Sequence, residues 1–339
     1  MNDYFCVLPF YGFELDRRGK NIYCCKLQTG ANINAVRESM LAQQRSEACS
    51  ACWKLEDQGI QSERQLQNST FDFYLDRDLD KIEQDVRNHQ YSTKIVKLWT
   101  SNICNGTCVT CGSQASSAWA ALEGKPINYK TIEPDLINNI SWQDITQLSL
   151  VGGEPLLEKQ NFNILNRLIE TNNTDCLVSI VTNGSCDITD RQFQTLQQFR
   201  NLSICLSIDG IGPVFEYMRF PLKWSVMLEN MAKFKTIAKH LSASYTISNV
   251  NILYYQETVD WFASQNLQFH HNLVTWPTYY NVNSLPKSAK SDPAIAKFFR
   301  EHVPLDDMLF AKAIAELTRQ DQLKKINCRD FVPKFTALF

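Results

Sequence analysis

From residue 94 onward, short apolar runs recur along the chain: KIVKLW (94–99), ITQLSLV (145–151), CLVSIVT (176–182), LSICLSI (202–208), SASYTIS (242–248) and LQFHHNLV (267–274). Most are apolar on successive positions, the pattern of strands covered on both faces. The stretches between them, 113–124, 158–172, 189–201, 225–240 and 254–265, repeat apolar residues at helical spacing. Strand alternating with helix predicts an α/β fold with a mostly parallel sheet, and six such units predict a partial (β/α)6 TIM-like barrel rather than a closed eight-stranded one.

The flanks read differently. Residues 1–75 are rich in Cys, Gly and turn formers and weak in long helical periodicity, which predicts a separate small module. Residues 76–93 are predicted as a connecting helix on the charged amphipathic pattern LDRDLDKIEQDVRNHQYS (75–92). The barrel is expected over 94–275. Residues 276–339 open with an aromatic run, pass through a Pro and Ser loop and end in a helical pattern expected to pack on the barrel.

Composition narrows the partners. The chain has 339 residues, 44% hydrophobic and 21% charged, with a formal net charge of −2. That suits one large domain with a small satellite. No cluster of Lys and Arg suggests nucleic acid or an anionic membrane, and no run is long and apolar enough for a membrane helix. A cytoplasmic protein is expected. Twelve cysteines in such a protein favour metal ligation over a disulfide framework.

SNICNGTCVTCGSQ (101–114) places Cys104, Cys108 and Cys111 directly after the first predicted barrel strand. Three thiolates on one loop can converge on zinc or on an iron–sulfur cluster. A closed zinc site takes four protein ligands, and no neighbouring Cys or His supplies the fourth. On a cube of four irons, three cysteines leave one iron open to a small molecule.

The CxxxCxxC spacing resembles the signature of radical S-adenosylmethionine (SAM) enzymes, and motifs at the following strand ends extend the resemblance. In that family the open iron chelates SAM, and reductive cleavage yields a 5'-deoxyadenosyl radical that abstracts hydrogen from substrate. LVGGEP (150–155) resembles the family's GGE motif. The resemblance implies that backbone at Gly152 and Gly153 accepts from the SAM ammonium and that Glu154 braces the turn or the ammonium. VTNG (181–184) and SIDG (207–210) close the next two strands, and Arg219 follows after eight intervening residues. By similarity to sulfatase maturases and related peptide modifiers, Asn183, Ser207 and Asp209 belong to the SAM pocket and Arg219 meets the SAM carboxylate, for which its two-pronged donor set is suited. The family commonly has an aromatic residue before the third cysteine; this chain has Thr110.

Before the barrel, Cys6, Gly19 and Cys24 stand at Cx12Gx4C spacing, and CSAC supplies Cys49 and Cys52. Four thiolates suit zinc or a fully ligated four-iron cluster. The arrangement resembles the twitch, or half-SPASM, auxiliary domain of radical SAM enzymes, which implies a second [4Fe-4S] cluster on Cys6, Cys24, Cys49 and Cys52, with Cys25 a substitute for Cys24. The module precedes the barrel, as in a subgroup whose start also resembles this one in the Cys24–Cys25 doublet and in the segment from CSAC to GIQSER.

The resemblance implies two [4Fe-4S] clusters, S-adenosyl-L-methionine, a ferredoxin or flavodoxin as electron donor, and a ribosomally made peptide or protein as substrate for crosslinking, epimerisation or side-chain oxidation. Radical modification of a small metabolite is the alternative, as is a non-catalytic zinc or iron–sulfur protein. Cys328 is a candidate hydrogen donor to a substrate radical. Cys176 and Cys205 are expected to be structural. Of His270 and His271 one is expected to face inward, and Trp276, Tyr279 and Tyr280 line the substrate mouth or pack a carboxy-terminal lid.

Overall fold

The computed structural model describes residues 3–16, 20–57, 59, 61–75, 79–127, 132, 135–291, 293, 295–299 and 307–339. All six predicted strands form, as β2 (Ile95–Trp99), β3 (Gln147–Val151), β4 (Leu177–Thr182), β5 (Asn201–Ser207), β6 (His240–Ile247) and β7 (Gln268–Leu273). A seventh, β1 (Gly12–Leu15), comes from the amino-terminal segment and pairs with β2. The order is β1 to β7 in sequence and every pairing is parallel, so all strand carboxyl ends lie along one rim. Among the described strands β1 and β7 are the edges, and the sheet is an incomplete barrel of seven strands rather than six.

The extra strand changes the expected division of the chain. GFEL is too short to show strand alternation, and its partner lies some eighty residues away, so only the folded chain reveals it. The amino-terminal residues do have a core of their own, built on Phe5, Val7, Phe10, Met40, Phe71 and Val86, but Ile95 of β2 belongs to it as well. Module and barrel therefore share a sheet edge.

This segment is also more helical than its pattern suggests, with helices at Ile33–Leu41, Ser50–Glu56 and Glu63–Leu75. The last has little apolar periodicity because it holds its neighbours through polar contacts. Asn68 accepts from the Val7 N–H at 3.0 Å and donates to the Phe5 carbonyl at 2.9 Å, and Arg64 donates to the same carbonyl at 2.8 Å. Asn32 caps the first helix by accepting from the Asn34 and Ala35 N–H groups. The connecting helix is shorter than predicted, Leu79–Arg87, with residues 76–78 outside the described set.

In the barrel, strand residues such as Val96, Leu148, Val178, Ile204 and Ala243 are fully buried in one continuous core. The edge strand β7 is less covered: His270 and His271 are both exposed, and the His271 ring meets Tyr255 and Phe298 edge-on. The carboxy-terminal helix Asp307–Lys324 reaches this core through Ala313 and Leu317. Among the described residues, no helix is long and apolar enough to cross a membrane.

Candidate functional site

The three cysteines occupy an irregular loop between β2 and the helix Ser117–Leu122. The loop is held by its own chain and by four other segments. Ser116 Oγ donates to the Gly106 carbonyl at 2.7 Å, the Cys104 N–H donates to Ser117 Oγ at 3.1 Å, and Trp119 Nε1 donates to the Cys108 carbonyl at 2.9 Å. A Cβ at Gly106 would stand 3.4 Å from the Cys108 sulfur and 3.8 Å from the Cys104 sulfur, so the two thiols flank that residue. Burial pushes the Cys104 thiol up to about 12, with Cys108 adding to the effect. Cys111 reaches solvent, yet its surroundings, foremost burial and then Cys108, push it up to about 11. Burial also raises Cys108, against which Arg219 and Lys324 pull down.

The end of β3 supports the loop directly. Gly153 N–H donates to the Ser101 carbonyl at 2.9 Å and Glu154 N–H to the Ile103 carbonyl at 2.7 Å. Gly152 has a φ of +151°, and a Cβ there would stand 2.7 Å from the Ser101 carbonyl oxygen. A Cβ on Gly153 would overlap the Ile103 carbonyl. The paired glycines are thus required for backbone to lie against the cysteine loop.

Glu154 is 1% exposed and both its oxygens are engaged. Oε1 accepts from the Leu156 N–H at 3.1 Å and from Thr182 Oγ1 at 2.7 Å, and Oε2 accepts from the Asn183 N–H at 2.7 Å. Of its two expected roles, the observed contacts are those of a brace between the ends of β3 and β4. Burial pushes its carboxyl up from the ordinary value, and the three donors oppose that. Asn183 continues the chain of contacts, donating through Nδ2 to Asn105 Oδ1 at 2.7 Å, while Asn105 Nδ2 donates to the Ser185 carbonyl at 3.0 Å.

The end of β5 contributes a buried ion pair. Arg219 donates to Asp209 Oδ2 at 2.9 Å, and Asp209 Oδ1 accepts from the Thr246 N–H at 2.9 Å. Asp209, 2% exposed, therefore gives both oxygens to protein donors. Arg219 belongs to a segment that also grips the loop: Val109 N–H donates to the Met218 carbonyl at 2.8 Å and Thr107 Oγ1 to the Phe220 carbonyl at 2.9 Å. Ser207 is half-buried at the end of β5.

Three polar atoms on these loops, Asn102 Oδ1, Ser185 Oγ and Arg219 Nε, are buried without a hydrogen-bond partner. Buried polar groups are nearly always satisfied, so these mark where a polar ligand would fit. Among the described residues no three His, Cys, Asp or Glu side chains converge as a single ion requires. A four-iron cube presents its irons at separate corners, and its ligands need not meet at one point.

Residues 93–211 match the family model of a 4Fe-4S single cluster domain. That span contains the cysteine loop and the ends of β3, β4 and β5. Among curated proteins none matches the chain. Of solved structures, the chain is similar to anSMEcpe with bound AdoMet and Kp18Cys peptide, at 17% identity and a TM-score of 0.41, covering 56% of this chain and 55% of that one. It is similar to Streptococcus suis SuiB bound to S-adenosylmethionine at 13% identity and a TM-score of 0.44, covering 85% and 63%. The radical S-adenosylmethionine methyltransferase TsrM from Kitasatospora setae, with cobalamin and a [4Fe-4S] cluster, shares 12% identity at a TM-score of 0.38, covering 56% and 35%. The chain spans about half the length of anSMEcpe.

The amino-terminal cysteines separate into two places. Cys6, Cys24, Cys49 and Cys52 line one cavity, beside Arg64. Burial pushes Cys6 up to about 12 and Cys49 up to about 11. Cys25 instead lines a second cavity with Glu14, Lys97, Trp99 and Val151, where Lys97 Nζ lies 3.6 Å from its sulfur and Glu14 accepts from its N–H. Cys24 lines the four-cysteine cavity and Cys25 the other, while the two thiols hydrogen-bond to each other. Gly19 lies outside the described residues.

Other expectations fall away from the cysteine loop. Cys176, Cys186 and Cys205 are buried. Cys328 opens a short turn whose N–H donates to Asp321 Oδ2 at 2.7 Å, and that carboxylate also accepts from Tyr217 Oη. None of the described Cys328 hydrogen bonds joins the cysteine loop. Tyr280 is buried and accepts from Gln320 Nε2 at 3.0 Å, so it packs the carboxy-terminal helix, whereas Trp276 is 80% exposed. The sequence reading missed Asn105, Trp119, Gln320 and Lys324. Gln320 donates to the Val109 carbonyl from a helix some 210 residues later, Lys324 follows one turn on, and no local pattern marks either.

Proposed function

We propose that this chain is a radical SAM enzyme, with a [4Fe-4S] cluster on Cys104, Cys108 and Cys111 and SAM between the ends of β3, β4 and β5. What carries the reading is the three-thiol loop, pinned by those strand ends and bordered by the partnerless Arg219 Nε and Ser185 Oγ. When bound, the cluster and SAM supply electron transfer and a hydrogen-abstracting 5'-deoxyadenosyl radical. The chain's own part is positional. Burial favours the protonated form of all three thiols, so ligation as thiolates releases protons. Glu154 and Asn183 hold the loop's shape through the contacts above, and Asp209 aims the Arg219 guanidinium, leaving Nε for the carboxylate of SAM.

The cavity lined by Cys6, Cys24, Cys49 and Cys52 supports a second, closed [4Fe-4S] site of the twitch type. On the resemblance of this module, the substrate is a ribosomally made peptide or protein, the electron donor a ferredoxin or flavodoxin, and the setting the cytoplasm.

Anaerobic reconstitution with iron and sulfide tests the reading. About eight irons per chain are expected, from two four-iron clusters, together with reductive cleavage of SAM to 5'-deoxyadenosine. A colourless zinc protein that leaves SAM intact overturns it. Deuterated candidate peptides, followed by mass spectrometry for deuterium in 5'-deoxyadenosine, test the substrate class.

A further inference from the structure

The carboxy-terminal helix ends on a lysine that lies inside the protein. Lys324 is 6% exposed, and its described partners are neutral: the Gln320 side-chain oxygen at 3.1 Å, the Trp119 ring with its centroid 4.7 Å away, and the Phe220 ring at 5.9 Å. Asp321, next in the helix, commits its two oxygens to Tyr217 Oη and the Cys328 N–H. A buried ammonium without a close carboxylate is costly. Burial pulls its amine down to about 8, while Cys108 foremost and then Asp321 favour the charged form.

Each of its neighbours is attached to the cysteine loop. Trp119 Nε1 donates to the Cys108 carbonyl, the Phe220 carbonyl accepts from Thr107 Oγ1, and Gln320 Nε2 donates to the Val109 carbonyl at 3.1 Å. Gln320 and Lys324 are four residues apart and so share a helix face. The other cation beside Cys108, Arg219, is already paired with Asp209. Three thiolates and a cluster that gains an electron accumulate negative charge at this loop, and the free positive charge next to it is that of Lys324.

We propose that Lys324 is a positioning residue that serves as counter-charge to the Cys104–Cys111 loop and raises the reduction potential of the cluster held there. The inference rests on the radical SAM reading. A fixed positive charge stabilises the more negative, one-electron-reduced form over the oxidised form, and the external donor supplies the electron. The aromatic walls keep water from screening that charge.

The test is an EPR-monitored redox titration of the reconstituted full chain, following the signal that changes when SAM is added. At fixed potential, Lys324→Met is expected to lower the reduced-to-oxidised ratio roughly tenfold, ~59 mV for a one-electron couple. Lys324→Arg keeps the charge and is expected to titrate close to wild type. Should the Met variant fail to fold by circular dichroism, Lys324→Gln is expected to show the same shift. A folded, fully iron-loaded Met or Gln variant with the wild-type potential overturns the proposal and leaves the radical SAM reading standing. Wild-type protein that assembles no SAM-responsive cluster overturns that reading instead.

Discussion

At the scale of single residues, the site is organised by side chains that bind protein rather than project into open space. Glu154 and Asp209 each spend both carboxylate oxygens on internal donors. Arg219 compensates Asp209, and its buried Nε has no hydrogen-bond partner. Arg219→Ala leaves the Asp209 charge buried and unpaired, at a cost of about 3–5 kcal/mol. Urea unfolding of the iron-free protein should show that loss, and the double variant Asp209→Asn, Arg219→Ala should recover part of it. An unchanged midpoint in the single variant would mean that Asp209 is compensated elsewhere. Asp209 and Arg219 are legible in the sequence as candidates through SIDG and the spacing that follows. Their mutual pairing is not, because nine intervening residues do not determine which side chains meet.

At the scale of elements, the turn after β3 and the cysteine loop form one unit. The two N–H groups of Gly153 and Glu154 bond to carbonyls at 101 and 103, and the glycines remove the side chains that would separate them. Gly153→Ala is expected to displace Ile103 and Cys104 and to lower iron incorporation at this loop severalfold. Gly106→Ala, whose Cβ would meet the Cys108 sulfur at 3.4 Å, should have a milder effect, because a thiol can rotate away and backbone cannot. Iron analysis of both variants after reconstitution makes the comparison; equal loading would remove the close backbone approach as the role of Gly153. The GGE motif is visible in the sequence, yet the resemblance implied contact with a ligand. The folded chain adds a contact with other backbone.

At the scale of the whole molecule, the amino-terminal module and the barrel are built into one sheet. β1 covers the edge of β2 and Ile95 lies in the module's own core. Removing residues 1–75 would expose the β2 ladder and the buried side chains of Ile82, Val86 and Ile95, each worth on the order of 1.5–3 kcal/mol. Chain 76–339 is expected to aggregate or to unfold at a markedly lower temperature than the full chain in calorimetry. A truncated barrel with the full chain's melting temperature would show that the module is separable after all.

The sequence by itself determined the alternating architecture, because buried parallel strands need long apolar runs and the helices between them need a repeat near 3.6. It also determined the candidate thiols, because three cysteines at fixed steps on one loop are a chemical statement wherever the loop goes. Only the tertiary structure decided what surrounds them. β1 beside β2, the gathering of Cys6, Cys24, Cys49 and Cys52 around one cavity, the Asp209–Arg219 pair and the burial of Lys324 against Trp119 all join residues that no local pattern links. Such contacts follow from how the layers pack, and packing is a property of the folded chain, not of any segment within it.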